Sequence, residues 1–156
     1  MREEFMFSAI EEARAGMTSG EGGPFGAVVV MGDRIISRAH NTVLKDNDPT
    51  RHAEVKAISE AARKLGSYDL SGCEIYSTTE PCPMCFSAIH WARIQKVIFG
   101  TRISDVAELG FNELAIPAGK MKHYGGSAVD IEEGFLRAEC EKLLKEWEDL
   151  PDKRTY

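Results

Sequence analysis

His52-Ala53-Glu54 and Pro81-Cys82-Pro83-Met84-Cys85 are the segments of this chain whose residue types and spacing could do chemistry together. One imidazole and two thiolates are good zinc ligands. Three such ligands leave one tetrahedral position for water, whereas a structural site fills all four with protein. Glu54 stands two residues from the imidazole as an uncommitted base. A metal, a water and a spare carboxylate are the equipment for hydrolytic removal of an amino group from an aromatic ring. Cys82 and Cys85 are i and i+3 in the expected first turn of a helix, so their sulfurs face the same way. The free amides and positive dipole end of that turn favour the thiolate that zinc binds. With zinc in place and its water acidified, Glu54 is placed to carry a proton to the ring nitrogen beside the attacked carbon. Amides at the start of the Cys82 helix can stabilise charge building on the attacking oxygen.

No member of this set is informative alone. A lone His52 reads as a surface or core residue, and a lone Glu54 as a solvated helix residue. Cys82-x-x-Cys85 could be a thioredoxin-like redox pair. A structural zinc module remains open too; it would need a fourth ligand such as Cys73 and would unfold when the metal is removed. The combination points to a catalytic site. His40, His90 and His123 have no ligand-type partner at a telling spacing and read as ordinary, although His90, one turn past Cys85, could lie near the pocket.

The elements that must position these residues are legible from periodicity. Phe5, Met6, Ala9, Ile10, Ala13 and Met17 recur at three- and four-residue spacings and predict an amphipathic helix, stopped by Gly20, Gly22 and Gly23. Phe25 to Met31 is a buried strand, Gly32-Asp33 a turn, and Arg34 to Ala39 its hairpin partner. Asn41 to Arg51 reads as a loop. Glu54 to Leu65 is a helix ended by Gly66, and Glu74 to Thr78 a strand. Pro81 to Arg93 is a helix whose prolines fall in the first turn, where no amide bond is lost. Lys96 to Thr101 is a strand, Ser104 to Leu109 a short helix, Gly110 to Gly126 mostly irregular, Ala128 to Ile131 a short strand and Phe135 to Trp147 a helix. Leu136, Leu143, Leu144 and Trp147 form the core stripe of that last helix. This order is α/β with a mixed sheet. The parallel crossovers put the second and third helices on one side of it, so the helix starts at His52 and Cys82 can lie side by side.

A chain of 156 residues suits one domain with one core. Its 43% apolar content is that of an ordinary globular protein, and Phe25 to Met31, the longest apolar run, is too short to span a bilayer. Met-Arg-Glu-Glu lacks the basic-then-apolar order of a signal peptide, so a cytoplasmic location is expected. The net charge of −6 with scattered basic residues disfavours a nucleic-acid partner, whose phosphates call for a basic field, and favours a small neutral substrate. Cys73 and Cys140 read as small core residues rather than disulfide partners.

Gly22-Gly23-Pro24-Phe25-Gly26-Ala27-Val28, Asn47-Asp48-Pro49-Thr50, Leu65-Gly66, Glu80-Pro81-Cys82-Pro83-Met84-Cys85, Ala88-Ile89, Trp91-Ala92-Arg93 and Gly110-Phe111 carry a resemblance. With them the chain resembles the cytidine deaminase-like superfamily over nearly its whole length, and within it the bacterial-type guanine deaminases. The resemblance implies a three-layer α/β/α sandwich with a central mixed five-stranded sheet. It implies hydrolysis of guanine to xanthine and ammonia, serving purine salvage or nitrogen release, with one zinc per chain on His52, Cys82 and Cys85. Asn41 then matches the position that contacts the base, and Phe25 and Trp91 match pocket positions, although both could equally be core aromatics. Glu113, the acidic residue shortly after Gly110-Phe111, matches a relay of protons to the departing amine. Residues 149–156 form a polar tail beyond a deaminase domain of residues 1–148. By itself such a tail frays. In similar proteins it crosses to a partner subunit, where Tyr156 would help close the pocket of a domain-swapped homodimer. The rivals are a tRNA adenosine deaminase, which shares the zinc signature and flips its base into the pocket; a deaminase of cytosine or another aminated azine; and an inactive relative, which should have lost Glu54.

Overall fold

The computed structural model describes every residue from Met1 to Tyr156. In chain order its elements are α1 (Glu3–Thr18), β1 (Gly26–Met31), β2 (Arg34–His40), α2 (Val43–Asp46), α3 (Ala53–Leu65), β3 (Cys73–Thr79), α4 (Pro83–Trp91), β4 (Lys96–Thr101), α5 (Ile103–Ala107), α6 (Ala118–Gly125), β5 (Asp130–Glu133) and α7 (Arg137–Glu148). The strands form one sheet in the order β2-β1-β3-β4-β5. The hairpin β1–β2 and the β1–β3 pair are antiparallel; β3–β4 and β4–β5 are parallel.

Successive residues of β1 point to opposite faces, and both faces are covered. Val28 and Val30 join Phe5, Met6, Ala9 and Ile10 of α1 and Leu143 and Trp147 of α7 in one apolar layer. Ala27 and Val29 join Ala57 and Ala61 of α3, Phe86 and Ile89 of α4 and Ala118 of α6 in the other. A strand buried on both faces has no reason to alternate, which is why Phe25 to Met31 reads as an unbroken apolar run. The result is the expected three-layer sandwich around a mixed five-stranded sheet. The parallel crossovers do place α3 and α4 on the same side. No helix is long and apolar enough to cross a membrane.

Two stretches expected to be irregular contain helices. Within residues 41–51 lies the single turn α2, closed by Asn47 in the left-handed conformation (φ 49°), which Asn tolerates better than most residues. The turn residues around it masked that turn. Within residues 110–126 lies α6, between Pro117 and Gly126. Two glycines at poor helix positions hid it, and its formation owes more to tertiary packing of Ala118 and Met121 on the α3–α4 layer. Smaller shifts occur at element ends. The Cys82 helix starts at Pro83 with Cys82 as its N-cap, and the last helix starts at Arg137, after Leu136 in a left-handed conformation (φ 48°). Leu136 is accordingly only partly buried, while Leu143, Leu144 and Trp147 are core. Cys73 and Cys140 are buried and unpaired, as expected of small core residues.

Candidate active site

Two helix starts meet beside the C-terminal end of β3, where the antiparallel β1 begins. His52 is the N-cap residue of α3 and Cys82 the N-cap residue of α4. Glu54 and Cys85 therefore fall in the first turns, turned inward; Glu54 is 6% exposed and Cys85 is fully buried. His52 Nδ1 lies 3.7 Å from Cys82 Sγ and 3.5 Å from Cys85 Sγ, and the three donor atoms all fall within 4.8 Å of one another. With zinc–ligand bonds of 2.0–2.3 Å, the edge of a tetrahedron is about 3.4–3.8 Å, so this donor set fits zinc. The charges fit as well. Cys85, followed by His52, pulls the Cys82 thiol down to about 4. The Cys85 thiol is pushed up, first by Cys82 and then by burial and Glu54. The two thiols lie with the carboxyls of Glu54 and Glu113 in a site with no lysine or arginine. A divalent cation supplies the positive charge such a site lacks.

Glu54 is no ligand in this arrangement. Its Oε1 accepts the Ser77 hydroxyl at 3.1 Å, and Oε2 lies 3.5 Å from Cys85 Sγ. Burial raises its pKa, against the pull of His52, so the carboxyl is poised to hold a proton and to release it. The His52 imidazole is pulled down by burial, but the bond to Cys82 and the charges of Glu54, Cys82 and Glu113 outweigh this and raise it.

A cavity of about 60 Å³ adjoins the ligands, walled by Phe25, Asn41, Thr79, Glu80, Phe111, Asn112, Glu113 and Tyr156. Asn41 is 1% exposed. Its Oδ1 accepts the Val43 amide at 3.0 Å, which leaves Nδ2 buried without a partner in the cavity wall. Gly22 makes this seat possible, since a Cβ there would overlap Asn41 Oδ1 and its backbone carbonyl. Phe25 meets Phe111 edge-on at 5.1 Å between centroids. Glu113 enters from the segment between α5 and α6, and burial, followed by the charges of Cys82 and Glu54, raises its carboxyl to about 7.

Tyr156 also lies in this wall, against Phe111 at 5.1 Å between centroids, and its backbone carbonyl accepts the Asn112 amide at 2.8 Å. The polar tail, expected to fray or to cross to a partner, is seated here on its own chain. A single backbone bond and one ring suffice, so hydropathy gave no sign of it. Trp91 needs a correction. It is 81% exposed and does not line the cavity. Two residues past the inward-facing Ile89, it is turned about 200° around α4, to the outer face. His90 bonds Ser127 at 2.9 Å, away from the pocket. Cavity residues not singled out from the sequence as site residues are Thr79, Glu80, Phe111 and Asn112. For Phe111 and Glu80 a signal existed, in the Gly110-Phe111 pair and the Glu80-Pro81-Cys82 motif; for Thr79 it was only its nearness to Pro81-Cys82.

Residues 1–101 match the family described as the cytidine and deoxycytidylate deaminase zinc-binding region. The chain belongs to that family. It is 47% identical over 111 residues to the guanine deaminase of Bacillus subtilis, covering 71% of each chain. It is 49% identical over 98 residues to the tRNA-specific adenosine deaminase of Aquifex aeolicus, covering 63% of this chain and 64% of that one. Among solved structures, the guanine deaminase from Nitrosomonas europaea superposes with a TM-score of 0.87 at 31% identity, over 96% of this chain and 86% of that one. The family match takes in all three zinc-ligand candidates and Glu54. It stops before Phe111, Asn112, Glu113 and Tyr156, which complete the pocket wall.

Proposed function

We propose that this deaminase hydrolyses free guanine to xanthine and ammonia, with one zinc per chain held by His52, Cys82 and Cys85. The observation that carries the reading is the small cavity of about 60 Å³ beside the metal ligands, walled by Phe25, Asn41, Phe111, Glu113 and Tyr156. A water needs about 10–15 Å³ of such space, so the pocket suits a handful of waters or one flat heteroaromatic ring. The similarity to guanine deaminases in sequence and in fold supports the same substrate.

Zinc, when bound, supplies a water acidified toward neutrality. The chain's own residues do the rest. Glu54 takes a proton and delivers it to the ring nitrogen beside the attacked carbon, its other oxygen steadied by Ser77. Glu113 lines the same cavity and protonates the departing amine. A carboxyl raised to about 7 can give up a proton near neutral pH, as a general acid must. Asn41 Nδ2, its partner oxygen already tied to Val43, donates to an acceptor on the base. Phe25 and Phe111, packed edge-on against each other, give the ring an apolar wall, and Tyr156 keeps bulk water out, which strengthens each of these contacts.

A second reading, a tRNA adenosine deaminase, is favoured by the 49% identity to such an enzyme over 98 residues. Ammonia release from guanine, adenine, cytosine, guanosine and a tRNA anticodon stem-loop, measured on zinc-loaded protein, separates the two. Turnover of guanine alone is expected; turnover of the stem-loop alone would replace the first reading by the second.

A further inference from the structure

Glu80 precedes the Pro81-Cys82 pair and is 6% exposed, yet no charged group pairs with it. Its backbone amide bonds Thr101 at the end of β4 at 2.8 Å. Its two carboxylate oxygens are spent on backbone amides far along the chain. Oε2 accepts Ile103 N–H, the first amide of α5, at 2.9 Å, and Oε1 accepts Ala118 N–H, the first amide of α6, at 2.8 Å. Each oxygen of this carboxylate thus holds a helix start, although the residue also borders the cavity.

What it grips explains its cost. The segment between Ile103 and Ala118 carries Phe111, Asn112 and Glu113, and from Glu108 to Pro117 it has neither helix nor strand. Backbone bonds within that stretch are few: Leu109 to Val106, Ile116 to Leu114, and Asn112 to Tyr156. The segment is thus pinned at its two ends by one side chain, which is itself fixed two residues from Cys82. We propose that Glu80 is a positioning residue: a two-pronged clasp that sets Glu113 at the distance from the metal ligands that the reaction needs. An anion can serve two N–H donors at once through charge-assisted bonds. Gln offers one acceptor and a competing donor in the same space, so Glu80→Gln opens one prong without removing bulk.

The inference rests on the role given to Glu113, and the experiment keeps the two apart. Turnover of guanine, zinc content and KM are measured for Glu80→Gln, Glu113→Ala and the double variant. We expect Glu80→Gln to keep its zinc and its KM within about threefold while kcat falls about 100-fold, the size of loss that small misplacement brings. In the Glu113→Ala background the same change should cost less than about threefold, because nothing remains to be positioned. An equal loss in both backgrounds, or a loss that tracks missing zinc, overturns the clasp. Full activity of Glu113→Ala would remove the reading of Glu113 itself, and the clasp with it. Amide hydrogen exchange on the wild-type holoenzyme keeps the test open should Glu80→Gln not fold: protection at Ile103 and Ala118, above that of their neighbours in 108–117, is expected, and free exchange at both overturns the proposal.

Discussion

Glu54 and Asn41 show how single residues are made ready for chemistry by what surrounds them. Glu54 is buried at a helix start, steadied by Ser77 and free of any ion pair. Glu54→Gln keeps the shape and the Ser77 contact but cannot shuttle a proton. We expect it to hold zinc and to lose a factor of about 10²–10⁴ in kcat, the usual weight of a general acid–base; metal analysis alongside steady-state kinetics checks this, and wild-type turnover with zinc bound would remove Glu54 from the mechanism. Asn41 depends on Gly22, where a Cβ would overlap it. Gly22→Ala should raise KM at least about tenfold, the equivalent of one lost hydrogen bond of about 1.4 kcal/mol, with zinc content unchanged; an unaltered KM would show that Asn41 does not grip the base. The zinc ligands were legible in the sequence because one-turn spacing joins Cys82 to Cys85 and the His52-Ala53-Glu54 pattern supplies the third donor at another helix start. Glu80's task was not, since its partners lie more than twenty residues away and offer only backbone amides.

At the scale of elements, the site is a product of topology. The β3–α4–β4 crossover sets α4 beside α3, and capping puts His52 and Cys82 at adjoining starts. Periodicity and punctuation revealed these pieces because each buries a continuous apolar stripe. Pieces held by other means escaped. Helix α6 has two glycines and one buried residue, Ala118. Trp91, matched to a pocket by motif, was assigned without regard to the phase of its helix. The tail belongs to the same class: its closure of the pocket uses Tyr156 and one backbone bond. Removing residues 150–156 should lower guanine turnover at least about tenfold through loss of water exclusion while zinc remains at one per chain; the two quantities measured on the same preparation check it, and unchanged kinetics would deny the tail any part in closure.

For the whole molecule, the open question of the tail is which chain it serves. Mixing full-length Glu54→Ala protein with the truncated chain reads this out directly. If each tail closes its own pocket, as it does here, the mixture stays inactive; restored turnover, together with a dimer in sedimentation, would mean that subunits exchange tails. The overall architecture also divides the labour along the sequence. The donors for the metal, and Glu54, come from the first 101 residues, whereas Phe111, Asn112, Glu113 and Tyr156 come from the rest. Substitutions after β4 can therefore reshape one wall of the pocket while the metal donors and Glu54, on α3 and α4, keep their places.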